Sequence, residues 1–415
     1  MRPEILAKNE KAHTVSLLIF VPFCGPFSFS VVTKSLENVS MRRRGRNVRC
    51  SYGFIASAVL LLFIPLSLKP ADTLPAQIPD VGFWRMVTGF SEEAGSFRFQ
   101  YMSNEREFAA LIPELKKSTK PGGVYLGVGP EQNFSYIAAL RPRIAFIFDI
   151  RRENMLEHLI YKAVFEMSST RVEFISRLFS RRTPAGLSDK STVSELFQAF
   201  ARVPGDAQLF TQNLEAIKDL LVKNRRFLLT SQDQSEIDGV YRTFFNAGPG
   251  FPYPGRNFGA FFGGSYADLM TARDDDGEPR SYLAGEDSFQ FLRDIERRNL
   301  IVPLVGDFAG TKAIKAAAAY LKEHQATVTT FYTSNVEQYL FEQGDDWQRF
   351  YANLATLPLD SSSTLIRSSH FAPAGARLRR VPSNYVMLRS SIADLVKAFK
   401  EGRIQNYYNA IQMSQ

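Results

Sequence analysis

Between residues 124 and 167 the apolar positions change period twice. Val124–Val128 (VYLGV) is an unbroken apolar run of strand length, and Pro130 follows where a helix accepts a first-turn proline. Glu131–Leu140 continues as a helix, Arg141-Pro142-Arg143 turns the chain, and Ile144–Ile150 is a second unbroken apolar run. In Arg151–Met167 the apolar residues Met155, Leu156, Leu159, Ile160, Ala163 and Val164 recur at the spacing of one helical face. The alternation resumes much later, with a strand at Leu300–Val305, a helix at Thr311–His324 and a strand at Thr327–Tyr332. Ser334-Asn335-Val336-Glu337 then has the form of a capping box, placing Ser334 at the start of a further helix.

Strand–helix repetition of this kind predicts an α/β fold: a Rossmann-like, doubly wound, mostly parallel sheet with helices on both faces. The interval 171–298 differs in texture. Val193–Ala201 and Leu214–Phe227 read as helices, and FFNAGPGFPYPGRNFGAFFGGSYADL is dense in glycine, proline and aromatics. A linker lacks that aromatic load, so 171–298 reads as a helical and loop insertion between the second and third strands, closing over the carboxyl edge of the sheet. The α/β domain is expected over 79–415, after an N-terminal region 1–78.

Composition is that of a globular chain, 45% hydrophobic and 22% charged over 415 residues. The formal charge of +8 is unevenly placed, because residues 1–53 hold nine Lys/Arg against three Asp/Glu. The remainder is close to neutral, which argues against a nucleic-acid partner. From Met41 the chain reads MRRRGRNVRC, then a charge-free stretch Phe54–Leu68, then a Pro-rich polar segment. That is the order of an export signal or signal anchor, and a cleaved signal and a retained anchor both satisfy it. Positive-inside reasoning puts the basic run in the cytoplasm and the domain outside, so an exported or membrane-anchored location in the cell envelope is expected. Residues 1–40 fit neither pattern, and Met41 is the expected start. Cys24 and Cys50, the only two cysteines, both precede the apolar segment, which leaves no disulfide or Cys-based zinc site for the domain.

In open α/β sheets ligands sit at the carboxyl ends of strands, where a glycine turn lets backbone N–H groups approach them. Gly127 and Gly129 supply such a turn after the first strand, with Glu131 and Asn133 next along it. A dinucleotide fingerprint wants a third glycine where this chain has Gln132, so pyrophosphate binding is poorly supported. Asp149 ends the second strand about 20 residues beyond the glycines, the place of an acid that receives ribose hydroxyls. NAD and S-adenosylmethionine enzymes share that carboxylate, and the missing glycine favours the latter. The third strand ends in Gly306-Asp307-Phe308 and the fourth in a polar group, Tyr332, Ser334 and Asn335.

Each feature also has a plain structural explanation. Asp149 and Asp307 sit where helix caps are found, His158 reads as a helix-surface or half-buried histidine, and Asp274, Asp275 and Asp276 read as a solvated turn rather than a calcium loop. Neither a G-x-S-x-G elbow nor an HExxH helix occurs, so hydrolase chemistry lacks its local signatures. No metal is expected.

The segments YLGVGPEQNFSYIAALRPRIAFIFDIRRENMLEHLIYKAVFEMS, RVEFISRLFSR, RSYLAGEDSFQFLRDIERRNLIVPLVGDFAGTKAIKAAAAYL and FYTSNVEQYLFEQGDDWQRFYANLATLPLDSSSTLIRS resemble an uncharacterised bacterial family typified by a leptospiral conserved lipoprotein. That family is similar in fold to class I S-adenosylmethionine-dependent methyltransferases, and the resemblance spans about Tyr101 to Ser368. It implies S-adenosylmethionine as cofactor, with Gly127 and Gly129 at its methionine end and Glu131 and Asn133 among the further cofactor-binding residues. Asp149 would hold its ribose, and Asp307 and Phe308 its adenine. Tyr332, Ser334 and Asn335 would orient an unidentified methyl acceptor. The alternative is a non-catalytic envelope protein that keeps the fold and uses the insertion as its recognition surface.

Overall fold

The computed structural model describes residues 72–97, 101–253, 264–373 and 385–415. The basic and apolar N-terminal stretch, both cysteines and the middle of the aromatic-rich segment, 254–263, lie outside the described residues. Within the described residues no helix is long and apolar enough to cross a membrane.

The folded part begins before the expected boundary at 79. Leu74 and Ile78 are buried in the core, the Thr73 N–H donates to the His324 carbonyl, and that of Ile78 donates to the Arg298 carbonyl. Arg143 holds this segment through the Asp72 carboxylate and the Leu74 carbonyl. Two helices that the pattern did not reveal follow, α1 (Asp80–Phe90) and α2 (Phe108–Ser118).

The expected alternation then appears as β1 (Val124–Val128), α3 (Gln132–Leu140), β2 (Ile144–Asp149) and α4 (Arg152–Met167). The region between β2 and β3 contributes α5 (Arg171–Phe179), α6 (Val193–Ala201), α7 (Ala207–Lys218), α8 (Ser231–Ala247), α9 (Tyr266–Met270) and α10 (Glu286–Arg297). The single helix expected at 214–227 is instead the end of α7 followed by a π-helical turn at Asp219–Asn224. The described part of the insertion is thus mainly helical, and α5, α8 and α10 pack on α4. The chain continues with β3 (Ile301–Val305), α11 (Ala313–Glu323), β4 (Val328–Ser334), α12 (Val336–Glu342), α13 (Asp346–Leu354), β5 (Thr364–Ser369), β6 (Val386–Ser391), α14 (Ile392–Lys400) and α15 (Tyr407–Gln412).

The six strands form one sheet in the order β3-β2-β1-β4-β5-β6, parallel from β3 to β5, with β6 antiparallel to β5. Every residue of β1, β2 and β3 is buried, as expected of parallel strands covered on both faces. Pro303 is tolerated inside β3 because that strand is the sheet edge, pairing only with β2, so a missing N–H breaks no ladder on the free side. From β1 the chain steps outward to β2 and β3, then crosses back to β4 on the other side of β1. The strand order therefore reverses between β1 and β4, and the crevice outside their carboxyl ends is where ligands collect in such sheets.

Candidate functional site

The turn after β1 is built around Asn133. Its Nδ2 donates to the carbonyls of Val128 (2.9 Å), Gly129 (3.1 Å) and Pro130 (2.7 Å), and its Oδ1 accepts from the Tyr125 hydroxyl. A Cβ on Gly127 would lie 1.9 Å from that Oδ1 and 2.7 Å from the Tyr125 ring. Gly127 and Asn133, expected against a cofactor, are therefore explained by the turn's own packing. Gly129 is different. Its φ of +76° requires glycine, and a Cβ there would meet nothing within 4 Å, so the space beside it is open.

Two side chains of α4 reach the Gly129 carbonyl, His158 through Nε2 (2.9 Å) and Asn154 through Nδ2 (3.3 Å). His158 is fully buried rather than at the surface, because α4 is enclosed by the sheet and by α8 and α10. Burial pushes its pKa down to about 4. The neutral ring donates Nε2–H to the carbonyl, which makes Nδ1 an acceptor. That Nδ1, Asn154 Oδ1, Arg151 Nη1, Glu131 Oε2 and both oxygens of Glu157 are buried with no hydrogen-bond partner in the protein. Buried polar atoms are almost always satisfied, so a group of orphans at one strand edge marks a place for a bound molecule or water.

The two glutamates there are electrostatically alike. Burial, opposed by the Ser103 N–H that donates to Oε1 (3.1 Å), raises Glu131 to about 8. Glu157 is pushed well above the ordinary carboxyl range by burial and by the neighbouring Glu131, against the pull of Arg151. Tyr101 is raised for the same reasons, burial first and then Glu157. Asp149 ends β2 as expected, but Arg151 already grips it: Oδ1 accepts from the Arg151 N–H (2.8 Å) and Nε (3.1 Å), and Oδ2 from Nη2 (3.2 Å). Three of its roughly four lone-pair positions are taken.

At the end of β4, Tyr332 and Ser334 converge on Glu105, a residue that nothing in the sequence pattern singled out. Tyr332 donates to Glu105 Oε2 at 2.6 Å and Ser334 to Oε1. Burial raises Glu105, and these hydroxyl bonds oppose the rise. Ser334 does not cap a helix. It is the last residue of β4 with φ +51°, its side chain is turned to Glu105, and Asn335 takes the N-cap position of α12 without a side-chain bond.

The third strand end is less like a ligand site than expected. Asp307 is half-buried, which raises its pKa, and its Oδ1 accepts the Ala309 N–H within its own turn. Phe308 is only 2% exposed and lies in the core, stacked on Phe350 at 5.3 Å and edge-on to Phe331 at 5.1 Å, so its ring is not available to a ligand. Helix α11 begins nearby, and its first N–H groups are already taken by the Glu92 carboxylate, which accepts from Lys312, Ala313 and Asp307. Asp274 is also buried rather than solvated, holding its turn through the N–H groups of Asp276 and Glu278 and through Arg280.

The structure thus brings Gly129 and Glu131 together with Arg151, Asn154, Glu157 and His158 on one side of the crevice. It gathers Tyr332 and Ser334 around Glu105 on the other, with Asn335 beside Ser334. Among the described residues no group of three His, Cys, Asp or Glu side chains could hold a metal. A separate surface groove of about 290 Å³ between α2, α3 and the 279–288 stretch, lined by Ile112, Lys116, Ser135 and Arg141, includes none of these residues.

No curated protein matches the chain. The model of the family described as Domain of unknown function (DUF7790) matches residues 101–387, which include every residue of both clusters, and the chain belongs to that family.

Proposed function

We propose that the protein binds S-adenosylmethionine at the carboxyl ends of β1 and β2 and is a methyltransferase. The observation that carries this reading is the set of unpartnered buried atoms on Glu131, Arg151, Asn154, Glu157 and His158 beside the open face of Gly129. The set is rich in acceptors, and it suits a cofactor that carries an ammonium and a sulfonium. S-adenosylmethionine would supply an electrophilic methyl group on a cationic sulfur. The protein's share is reception and placement: Glu131, raised by burial to about 8, and Glu157, pushed up by burial and by Glu131, give up protons to an arriving cation and become its counter-ions. His158 Nδ1 and Asn154 Oδ1 accept from the ligand, while Asp149 offers one remaining lone pair to a ribose hydroxyl. Catalysis would be positioning of an acceptor held on the β4 side.

A second reading has its own support. Asp149 is engaged by Arg151, Phe308 is core and Glu92 fills the α11 terminus, as in a chain that keeps the architecture without the cofactor. Joined to the basic and apolar N-terminus, that favours a non-catalytic, envelope-associated binding module. Calorimetric titration of the full chain with S-adenosylmethionine and S-adenosylhomocysteine separates the two. Micromolar binding, weakened at least tenfold in Glu157→Gln, supports the methyltransferase. Absence of binding to a chain that is folded by circular dichroism rejects it and leaves the binding module.

A further inference from the structure

The groove between α2, α3 and the 279–288 stretch belongs to neither cluster. Its volume of about 290 Å³ is close to the lower bound of small-molecule pockets, and every residue that lines it is a described one. The last turn of α3 contributes Ala138, Ala139 and Leu140, α2 contributes Ile112, and Pro121 and Pro279 extend this apolar wall. A helix that joins two parallel strands runs back toward their amino ends, so the end of α3 lies on the far side of the sheet from the crevice.

Charge on the groove is one-sided. Lys116, Arg141 and Arg280 line it against a single acid, Asp287, and the acids of the neighbouring turn, Asp274, Asp276 and Glu278, are not in its lining. Arg280 is partly committed, since its Nε donates to buried Asp274 at 2.6 Å. Lys116 is exposed and has no acidic partner among the described residues, whereas its neighbour Lys117 takes Glu114 at 2.9 Å. Arg141 is held in place: its guanidinium carbon lies 4.8 Å from the centre of the Phe291 ring, and its Nη2 pairs with the Asp287 carboxylate.

The Arg141–Asp287 pair shows where a carboxylate is received at this groove. It is also an easy pair to displace. The Asp287 side chain is 85% exposed and that of Arg141 42% exposed, and ion pairs in such positions contribute little. A carboxylate on an apolar body that meets Lys116 as well as Arg141, and covers part of the wall, makes contacts that Asp287 does not. We infer that the groove binds a small organic acid, its carboxylate taken by Arg141 and Lys116 in exchange for Asp287 and its body laid against Ile112, Ala138 and Leu140. Asp287 is then a built-in competitor for the ligand. The inference owes nothing to the methyl-transfer reading, because no residue of the groove belongs to the crevice.

The test uses two probes of one shape, benzoate and benzamide, titrated into the full chain at pH 7 and low salt and followed by NMR. Benzoate is expected to bind at least fivefold more tightly than benzamide. Asp287→Asn should tighten benzoate several-fold and leave benzamide unchanged, since it frees Arg141; a residue with a merely structural role would not improve binding when replaced. Lys116→Gln should weaken benzoate several-fold, again with benzamide unchanged. Both replaced side chains are exposed, so the variants keep the fold. Equal binding of the two probes to the wild-type chain overturns the proposal without any variant, and so does binding of neither. Benzoate affinity that is unchanged or weaker in Asp287→Asn, or unchanged in Lys116→Gln, overturns it as well.

Discussion

Glu131→Gln is the sharpest probe of the β1 side of the crevice. In the folded chain the acid titrates near 8 instead of 4.5, because burial disfavours its charge. Below pH 4.5 the group is protonated in both folded and unfolded chains and has no effect on stability. As the pH rises above 4.5 the unfolded chain loses the proton while the folded chain keeps it, so stability falls until the folded group also titrates. At about 1.4 kcal/mol per pH unit, that loss amounts to about 5 kcal/mol by pH 8. His158 acts in the opposite sense over a lower window. Its folded value of about 4, against 6.5, makes stability rise with pH between those limits, by about 3 kcal/mol. The two slopes oppose one another up to pH 6.5, and above it the His158 contribution no longer changes while that of Glu131 continues.

Glutamine reproduces the neutral acid: its Oε1 can accept the Ser103 N–H as Glu131 Oε1 does. The variant is therefore expected within about 1 kcal/mol of wild type at pH 5, as for a substitution that preserves contacts, and more stable by up to about 5 kcal/mol at pH 8. Urea unfolding of both chains at pH 5, 6.5 and 8, read by far-ultraviolet circular dichroism, measures the difference directly. Every other titrating group is common to the two chains, His158 included, and Glu157, which the charge of Glu131 helps to raise, adds to the difference in the same sense. A stability difference that stays flat from pH 5 to 8 would refute the reasoning. It would mean that Glu131 is ionised in the fold, with water or a counter-ion reaching it.

Two further outcomes follow from the same turn and from the far side of the sheet. Gly127→Ala should destabilise the chain by about 1–3 kcal/mol, the usual penalty of overpacking, because Asn133 is locked by three carbonyls and cannot yield; denaturant unfolding showing wild-type stability would contradict this. Arg367→Met should destabilise by about 3–5 kcal/mol by leaving Glu337 buried and unpaired, whereas Arg367→Met combined with Glu337→Met should be less damaging than the single change. Urea midpoints of the two variants decide it, and a double variant worse than the single would contradict the pairing.

What the sequence disclosed and what it withheld divide along one physical line. Unbroken apolar runs report parallel strands because both faces of such a strand are covered, and so β1, β2 and β3 were legible along with the helices α3, α4 and α11, while β4 (VTTFYTS) was legible from its β-branched and aromatic residues. β5 (TLIRSS) and β6 (VMLRSS) were not, because each mixes apolar with polar residues and the buried Arg367 of β5 reads as a surface position until Glu337 is seen beside it. The glycine turn and Asp149 were legible as an outline, since a turn's glycines and a strand's last acid are set by local geometry. The polar face of α4 was hidden for the opposite reason. Asn154, Glu157 and His158 stand among apolar residues at the positions a one-sided amphipathic helix would give to solvent. Only the insertion helices α8 and α10, packed on that helix from far along the chain, turn the outer face into an interior one. Glu105 is hidden in the same way, one of two acids in a short polar stretch until β4 delivers Tyr332 and Ser334 to it. Local periodicity thus places the edges of the crevice. The groups that give the crevice its chemistry are placed by long-range packing, which no window of the sequence contains.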